Sequence, residues 1–460
     1  MEQPISIATG VPQLDLLLGG GVVQHSLLLI AGPAGSGKTV LAAQIAFAAA
    51  ARGERVLFAT AFSEPHTKLI ANLRGFRFFN GGFIGESIKL LNLQHQLKTG
   101  TETAADALVR EAREHRAQLV VLDGFQGIRV VSATTAEPHQ FLYDLSAKLS
   151  LLGITTLITY DALLVSEATQ PELTAVDAVV ALSQDLMGEQ ATRMIQIIKN
   201  RGMNQVLGRH SLVIDETGIT CYPRQESIIQ VRDVAPGAER LKFGIPMLDT
   251  MLHGGVTQGT TTIIVGAEGV GKTLLSLHYL AEALAHGQHA VMVTFHETPQ
   301  QLVTKSRHFG FDLQAALDQG TLIILHYPPV ELNADQVAHA LREHLATRQI
   351  QRLVIDGLNE IERPLMERGR GRGFFASLMT YLRSAGVTTC ITQEIDPVIG
   401  RELSFVGKSL SALADNILLL RHSEAGEQQN HTLVVLKMRF NSHERAPHIY
   451  TIGATGLTVL

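Results

Sequence analysis

The sequence is constrained most strongly by a glycine-rich octet that occurs twice, as GPAGSGKT at residues 32–39 and as GAEGVGKT at residues 266–273. Each octet continues an aliphatic run, SLLLIAG or TTIIVGA, and precedes a stretch with helical character. This order predicts a strand, a tight turn and a helix, which is the context that a phosphate-binding loop requires. Glycines let several backbone N–H groups face one anion, and the helix adds its positive N-terminus. Each half of the chain is therefore predicted to hold a phosphate group.

The two octets belong to a longer internal repeat. The motif G-[VI]-P-x-L-D begins at Gly10 and again at Gly244, at the same distance before the octet lysine in both halves. An aspartate that ends an aliphatic run follows each of these lysines, and its spacing differs by a single position between the halves. KNRG at 199–202 corresponds to KMRF at 437–440, and each half closes with a hairpin-like TG segment. The chain is therefore predicted to contain two copies of one unit of about 230 residues.

We divide the chain into a first unit at residues 1–222, a linker at 223–240 and a second unit at 241–460. The linker segment is charged, contains Pro223 and Pro236, and lacks sustained periodicity. Aliphatic runs alternate with helix-like stretches in each unit, and the runs read as strands at 26–32, 54–62, 119–123, 155–160, 261–267, 289–295, 353–357 and 388–393. This alternation predicts an α/β fold with a mostly parallel, doubly wound sheet flanked by helices.

Composition excludes several classes of protein. With 45% hydrophobic residues, 18% charged residues and a formal net charge of −5, the chain is predicted to fold and has no overall attraction for nucleic acid or anionic membranes. Cys221 and Cys390 lie far apart without a CxxC motif, so we exclude a zinc ribbon and expect both thiols to be buried. The N-terminus lacks the layout of a signal peptide, and the apolar run 40–51 reads as a buried helix. We expect a soluble, cytoplasmic protein without a membrane span.

Both octets and the residue after each of them are assigned to nucleotide binding. Lys38 and Lys272 are predicted to neutralise the β- and γ-phosphates. The residues assigned in the first half are Gly32, Pro33, Ala34, Gly35, Ser36, Gly37, Lys38, Thr39 and Val40. Those assigned in the second half are Gly266, Ala267, Glu268, Gly269, Val270, Gly271, Lys272, Thr273 and Leu274.

A metal site is predicted beside each octet. Thr39 and Thr273 follow the octet lysines, where a hydroxyl can ligate Mg²⁺. Asp123 and Asp356 end aliphatic strands, which is the Walker-B position, where a carboxylate holds Mg²⁺ or its waters. An aspartate that caps the next helix is the alternative reading. The matched spacing in the two halves favours the metal role.

Hydrolysis of ATP requires a group that orients a water molecule in line with the γ-phosphate. Glu64 follows Lys38, and Glu297 follows Lys272, at spacings that differ by only one position. Both glutamates come after the strand that follows the first helix, where RecA-type folds place this group. Glu64 and Glu297 are therefore the candidate catalytic glutamates.

Together these features resemble the KaiC family of RecA-fold ATPases, which has a circadian clock member. The resemblance rests on G-[VI]-P-x-L-D, LxGG, the two octets, TFHETPQQL at 294–302, the Walker-B strands and KxRG followed by TGI, and it covers almost the whole chain. It implies two fused RecA-like domains, ATP and Mg²⁺ as cofactors, and a two-tiered homo-hexamer with ATP held between neighbouring subunits. KaiB-like or histidine-kinase signalling partners follow from the same resemblance.

Two departures from the family pattern bear on activity. The family's adjacent pair of glutamates is reduced to one in each half, because Ser63 and His296 replace the first member. We therefore expect slow hydrolysis. The family's Ser-Thr phosphorylation pair corresponds here to Ser411 and Ala412, which leaves a single-site serine autokinase as the remaining form of that activity. The segment that docks KaiA in the clock protein is missing after Leu460, so we do not expect KaiA as a partner.

The resemblance also assigns a basic pair in each half to the nucleotide of the neighbouring subunit. These residues are Lys199, Arg201, Lys437 and Arg439. Such charges stabilise a transferring phosphoryl group in trans, as an arginine finger does. A solvated strand edge with alternating basic residues is the alternative. If the trans role is right, a monomer is almost inactive.

One basic run has no counterpart in the first half. Arg368, Arg370 and Arg372 alternate with glycines in ERGRGRGFF, and we expect a mobile pore or interface loop there. Contact with nucleic acid is the less favoured reading, since the interleaved aromatic signal is weak. Two other functions stay open: a DNA-acting ATPase resembling RadA, and a nucleotide-binding scaffold with little turnover.

Overall fold

The structure is a computed structural model of the 460-residue chain. It describes residues 4–61, 65–132, 134, 137–162, 172–187, 190–229, 235, 237–330, 332–395, 413–425 and 428–460. The chain forms two compact units, Met1–Ser227 and Ile228–Leu460. The boundary falls within the segment that we assigned to a linker, and part of that segment is a short helix, Gln225–Ile228.

The first unit alternates strands and helices along most of its length. Its strands are β1 (Ser6–Ile7), β2 (Val22–Val23), β3 (Leu27–Gly32), β4 (Val56–Thr60), β5 (Ile88–Asn92), β6 (Leu119–Asp123), β7 (Thr155–Asp161), β8 (Ala178–Met187), β9 (Gln190–Asn200), β10 (Arg209–Asp215) and β11 (Gly218–Tyr222). Its helices are α1 (Leu14–Leu18), α2 (Lys38–Ala51), α3 (His66–Leu73), α4 (Gln94–Thr99), α5 (Thr101–His115), α6 (Gln126–Val131), α7 (Glu137–Leu151) and α8 (Glu172–Ala175), with a 3-10 turn at Gly81–Phe83. The helix α9 (Gln225–Ile228) closes this unit.

Within the described residues, nine strands of the first unit form one sheet in the order β11-β10-β9-β8-β3-β7-β6-β4-β5. The strands from β8 to β5 run parallel, and β9, β10 and β11 extend the sheet with antiparallel pairs. The central strand β3 is buried at all six positions. Its residues alternate between two cores: Leu28 and Ile30 pack with α2 on one face, and Leu27 and Leu29 pack with α5 and α7 on the other. This double covering explains why the parallel strands read as continuous aliphatic runs.

The second unit repeats this plan. Its strands are β12 (Arg240–Leu241), β13 (Val256–Thr257), β14 (Thr261–Gly266), β15 (His289–Thr294), β16 (Leu322–His326), β17 (Ile350–Asp356), β18 (Thr388–Glu394), β19 (Asn416–Ala425), β20 (Gln428–Met438), β21 (His448–Gly453) and β22 (Gly456–Val459). Its helices are α10 (Pro246–Met251), α11 (Lys272–Ala285), α12 (Pro299–His308), α13 (Leu313–Asp318), α14 (Ala334–Thr347), α15 (Leu358–Glu367) and α16 (Gly371–Ser384).

The sheet of the second unit has the order β16-β15-β17-β18-β14-β19-β20-β21-β22 among its described strands. Read from the opposite edge, this is the order of the first sheet, so the repeat in the sequence is a repeat of topology. The central strand β14 has Ile264 in the core beside α11 and Ile263 in the core beside α14 and α16. The predicted tandem α/β fold, a mostly parallel sheet flanked by helices in each unit, is confirmed.

Three smaller predictions are also tested by the fold. Cys221 and Cys390 are free and buried, as expected. The apolar run 40–51 lies in the buried helix α2. Across the described part of the chain, no helix combines the length and the apolar character that a membrane crossing requires.

The arginine run differs from its prediction. The helix α15 ends at Glu367 and α16 begins at Gly371, so only three residues link them and Arg372 is already helical. Arg370 donates from its two terminal nitrogens to the two carboxylate oxygens of Asp335, both at 2.9 Å. This bidentate pair and the helix that follows give the segment a defined conformation. The linking segment is thus shorter than the glycines suggested, and its partner carboxylate on α14 is not visible in the local sequence. A place at a pore or interface stays a prediction.

Candidate functional site

The first octet forms a turn between β3 and α2 at the carboxyl edge of the parallel strands. Gly35 and Gly37 have φ values of +76° and +103°, a region that L side chains rarely adopt. A Cβ atom on Gly32 would lie 2.5 Å from the carbonyl oxygen of Leu182 and 2.8 Å from the hydroxyl of Ser36. Glycine is thus required at these three positions, for backbone conformation at two of them and for space at the third.

The second octet closes in the same way between β14 and α11. Gly269 and Gly271 have φ values of +78° and +92°. A Cβ atom on Gly266 would lie 2.5 Å from the carbonyl oxygen of Leu420 and 2.7 Å from Cγ2 of Val270. Both turns therefore present backbone N–H groups at the start of a 14-residue helix, where an anion is favoured.

The octet lysines fold back over their turns. The ammonium of Lys38 donates to the Pro33 carbonyl at 2.8 Å and lies 2.7 Å from the Asp161 carboxylate. The ammonium of Lys272 donates to the carbonyls of Gly266 and Ala267 at 3.0 and 2.6 Å. Burial lowers the pKa of Lys272, although neighbouring carboxylates oppose this effect. Each turn therefore contains one positive charge next to its inward-facing amides.

The hydroxyl that follows each lysine reaches the Walker-B carboxylate. In the first unit, Thr39 donates to Asp123 at 3.1 Å. A second hydroxyl, that of Thr159 on β7, donates to the same carboxylate at 2.6 Å and accepts from the backbone N–H of Gly124 at 2.8 Å. The carboxylate is thus fixed between two threonines on neighbouring elements.

The second unit contains the same arrangement. Thr273 donates to Asp356 at 2.9 Å, and Thr392 on β18 donates to it at 2.6 Å while accepting from the N–H of Gly357 at 2.8 Å. Sequence reasoning did not identify Thr159 and Thr392 as site residues. The available signal was that each is the fifth residue of a matched strand, TTLIT or TTCIT.

Burial sets the electrostatics of the two carboxylates. It raises the pKa of Asp123 and Asp356, and the hydrogen bonds from the paired threonines act in the opposite direction. A divalent cation beside each group favours its ionised form. The Ser36 hydroxyl inside the first turn is buried and has no hydrogen-bond partner among the described residues, which leaves it available to a ligand.

The donor set fits a nucleotide-bound Mg²⁺. Each site offers one hydroxyl and one carboxylate, and the described residues contain no group of three or more His, Cys, Asp or Glu that could hold a metal alone. Mg²⁺ commonly keeps waters and binds phosphate oxygens beside only one or two protein oxygens. Thr39 with Asp123, and Thr273 with Asp356, would hold the ion, which when bound neutralises charge on the phosphates.

The candidate catalytic glutamate of the second unit lies in the same cavity as these groups. This cavity has a volume of about 450 Å³ and is lined by Lys272, Thr273 and Asp356 together with Glu297 and charged residues around it. Glu297 Oε1 lies 2.6 Å from the ammonium of Lys305. Glu64 and Ser63 in the first unit, and Ser411 with Ala412 in the second, lie outside the described residues.

His296 also has a charged partner. Its Nε2 lies 3.1 Å from Oε1 of Glu360, on helix α15, and both residues line the cavity of the second unit. The corresponding turn of the first unit has Gly127 where the second has Glu360, counted from Gly124 and Gly357. His296, which stands where the family has its first glutamate, is thus close to a carboxylate from another element, that of Glu360 on α15.

The basic pair of the first unit lies at the other end of the central strand. Lys199 donates to the Leu173 carbonyl at 3.2 Å, and a terminal nitrogen of Arg201 lies 3.5 Å from the carboxylate of Asp177. Asp177 in turn accepts from the backbone N–H of Leu27 at 3.0 Å. Leu27 begins β3, and the octet starts where β3 ends.

The second unit repeats this placement. Lys437 donates to the Ala414 carbonyl at 2.7 Å, and Arg439 lies 3.3 Å from the carboxylate of Asp415. Asp415 accepts from the N–H of Thr261, the first residue of β14, at 3.0 Å. Five residue steps along a strand span roughly 16 Å, so each basic pair is remote from the phosphate turn of its own unit.

These observations define the class of protein. A parallel sheet whose central strand ends in a glycine turn, with a buried or half-buried lysine and a Thr–Asp pair at the same edge, is a RecA-like P-loop ATPase domain. The chain contains two such domains in tandem.

Comparison with known proteins gives the family. The family model described as ATPase: KaiC matches residues 7–226 and again 241–460, and the chain belongs to this family. It is 26% identical to the circadian clock protein KaiC3 of Synechocystis sp., over 98% of this chain and 91% of the relative. It is 24% identical to the circadian clock oscillator protein KaiC of Rippkaea orientalis and 25% identical to that of Thermostichus vulcanus, each over 98% of this chain and 88% of the relative. The resemblance inferred from the sequence is therefore confirmed.

Proposed function

We propose that this KaiC-family ATPase binds ATP in both units, hydrolyses it slowly, and couples nucleotide state to assembly of a homo-hexamer that signals to a partner in the cytoplasm. The observation that carries the proposal is the repeated arrangement of glycine turn, lysine, threonine, aspartate and second threonine in the two units. Both sites have kept the parts needed to bind Mg²⁺ and ATP, which is what selection on nucleotide binding in each unit is expected to preserve.

Slow turnover is supported by the groups around the γ-phosphate position. Each unit has one glutamate where the family has an adjacent pair, Glu64 in the first and Glu297 in the second. In the second unit, Glu297 already forms an ion pair with Lys305. A single carboxylate can orient a water molecule, but it does so less effectively when another group shares its oxygens.

Assembly into a ring is supported by the position of the basic pairs. Arg201 and Arg439 lie at the amino end of their central strands, and the phosphate turns lie at the carboxyl end. Within one subunit these groups act on different edges of the sheet. We expect a neighbouring subunit to bring an arginine edge onto a phosphate edge, and six-fold repetition in two tiers is the arrangement that the family resemblance implies.

The partner of such a ring is expected to be a KaiB-like protein or a histidine kinase. The alternative of a DNA-acting, RadA-like ATPase depends on the arginine run, where Arg370 is already paired with Asp335. The net charge of −5 argues in the same direction. DNA-stimulated ATP turnover would reverse this ranking.

The test of catalysis is the rate of ADP release from purified protein. Glu64→Gln and Glu297→Gln are each expected to lower this rate, and the double variant is expected to lose about 100-fold or more, because the water-orienting carboxylates are gone. Glu111→Gln, which removes a half-buried carboxylate paired with Lys89 on another part of the first unit, is the control and is expected to keep the wild-type rate. Turnover that survives the double substitution would refute the assignment of these glutamates, whereas a wild-type protein that binds ATP and releases almost no ADP would be a nucleotide-binding scaffold.

Autophosphorylation at Ser411 is the finer part of the proposal. By the family resemblance, Ser411 corresponds to the serine of the phosphorylated pair, and Ala412 stands in place of the threonine. Intact-mass spectrometry after incubation with ATP and Mg²⁺ is expected to show at most one added phosphate, and Ser411→Ala is expected to abolish it. A protein that gains no mass refutes the autokinase role, and one that keeps its phosphate in the variant places the modification elsewhere.

A further inference from the structure

The two catalytic glutamates have different neighbours eight positions further along the chain. Glu297 is followed at that spacing by Lys305, and Glu64 is followed by Asn72. Lys305 lies on helix α12 and Asn72 on the corresponding helix α3. The second unit therefore has a positive charge where the first unit has a neutral amide.

The backbone around Glu297 is held firmly. The Thr294 hydroxyl donates to the Glu297 carbonyl at 3.0 Å, where β15 ends. The next residue, Thr298, is the N-cap of α12 and forms a capping box with Gln301. This fixes Glu297 at the N-terminus of α12, where a carboxylate is favoured by the helix dipole.

The side chain of Lys305 extends along α12 toward Glu297, which precedes the N-cap of this helix. Side chains of a helix point back toward its N-terminus, so a long lysine two turns into α12 extends toward the residue before the N-cap. The ammonium lies 2.6 Å from Oε1 of Glu297, and the two side chains are 38% and 28% exposed. The pair is thus partly shielded and geometrically close, yet exposed enough to be broken at modest cost.

The ion pair lies within the nucleotide site. Glu297 and Lys305 line the cavity that also contains Thr273 and Asp356. A change at Lys305 is therefore expected to affect the chemistry of this site.

We propose that Lys305 is a positioning residue that restrains Glu297, so that one carboxylate oxygen is occupied by the ammonium and turnover at the second site stays below the rate that an unrestrained Glu297 would support. The inference rests on the proposed role of Glu297 in orienting water. A water molecule that is to be deprotonated or aligned needs a free lone pair on the carboxylate, and Lys305 competes for that lone pair. At the matching position the first unit has Asn72, whose side chain carries no charge.

The experiment isolates the second site in the full-length protein. In a Glu64→Gln background, Lys305→Met is expected to raise kcat for ADP release by about two- to five-fold, the range set by a partly exposed ion pair, with KM for ATP nearly unchanged. Methionine keeps the length and apolar stem of lysine and removes its charge. Lys305→Arg retains a cation and is expected to keep the slow rate. A disrupted fold lowers kcat, so an increase separates the positioning role from structural damage.

Two outcomes would contradict the inference. If the rate depends on Glu297 but Lys305→Met leaves it unchanged or lowers it, the inference about Lys305 is refuted and the proposed role of Glu297 stands. If adding Glu297→Gln to the Glu64→Gln background does not lower the rate, the proposed role of Glu297 is refuted, and the inference about Lys305 is refuted with it.

Discussion

A Lys38→Ala variant is expected to remain monomeric when ATP and Mg²⁺ are added, whereas the wild-type protein is expected to assemble into the proposed ring. The Lys38 ammonium is buried in the first glycine turn, where it contacts the Pro33 carbonyl and the Asp161 carboxylate. Its removal takes away the positive charge that offsets the triphosphate and leaves Asp161 to repel it. We expect ATP affinity of the first site to fall by about 100-fold, because hydrogen bonds to charged groups are strong in a shielded site.

Size-exclusion chromatography with light scattering, run with and without ATP, measures this effect. The matched control is Lys148→Ala, which removes an exposed lysine paired with Asp106 at 2.8 Å and should assemble normally. Lys38→Ala protein that elutes with the same mass as wild type under both conditions would separate assembly from the first nucleotide site. The same chromatography of Lys272→Ala protein then shows whether the second nucleotide site contributes to assembly.

Combined replacement of Arg201 and Arg439 by alanine is expected to lower ATP turnover by about 1,000-fold while both P-loops still bind ATP. The fold is expected to survive this change. Asp415 keeps an ion pair with Arg383 at 2.7 Å and its bond to the N–H of Thr261. Asp177 keeps its bond to the N–H of Leu27. The loss should therefore arise from the nucleotide of the neighbouring subunit, which no longer receives the guanidinium.

Mixing two inactive proteins distinguishes action in trans from action in cis. The second protein is the Glu64→Gln, Glu297→Gln variant, which has intact arginines. In randomly mixed rings about one interface in four joins an intact glutamate to an intact arginine, so about a quarter of the wild-type rate should return. Mixed rings that form but stay inactive would exclude the trans role and support a structural role at the strand edge.

The fold could be predicted from the sequence because the same motifs occur at nearly the same spacing in both halves of the chain. Matched spacings in the two halves identified the glycine turns and the aspartates at the ends of β6 and β17. Parallel strands with helices between them then had to bring both groups to one edge of each sheet. The contacts of Thr39 with Asp123 and of Thr273 with Asp356 follow from that topology.

Other parts of the site depend on contacts that no local pattern records. Thr159 bonds to Asp123 because β7 lies beside β6 in the sheet, a neighbour relation that the order along the chain does not fix. The run around Arg370 looked flexible because its glycines are visible in the sequence and its partner Asp335 is not. Lys305 was not predicted as a site residue for a related reason. A lysine on a helix is usually solvated, and only the structure gives its distance to Glu297.

In the proposed ring, the opposite placement of phosphate turn and basic pair would make each subunit directional. Each copy would supply an arginine to one neighbour and receive one from the other, so the contacts between copies would be head-to-tail and would end only when the circle closes. Every copy would then take part in two active sites per tier, one that it hosts and one that it completes. A single damaged copy with an intact docking surface consequently silences more sites than its own, and co-expression of an arginine-deficient variant should suppress the wild type out of proportion to its share.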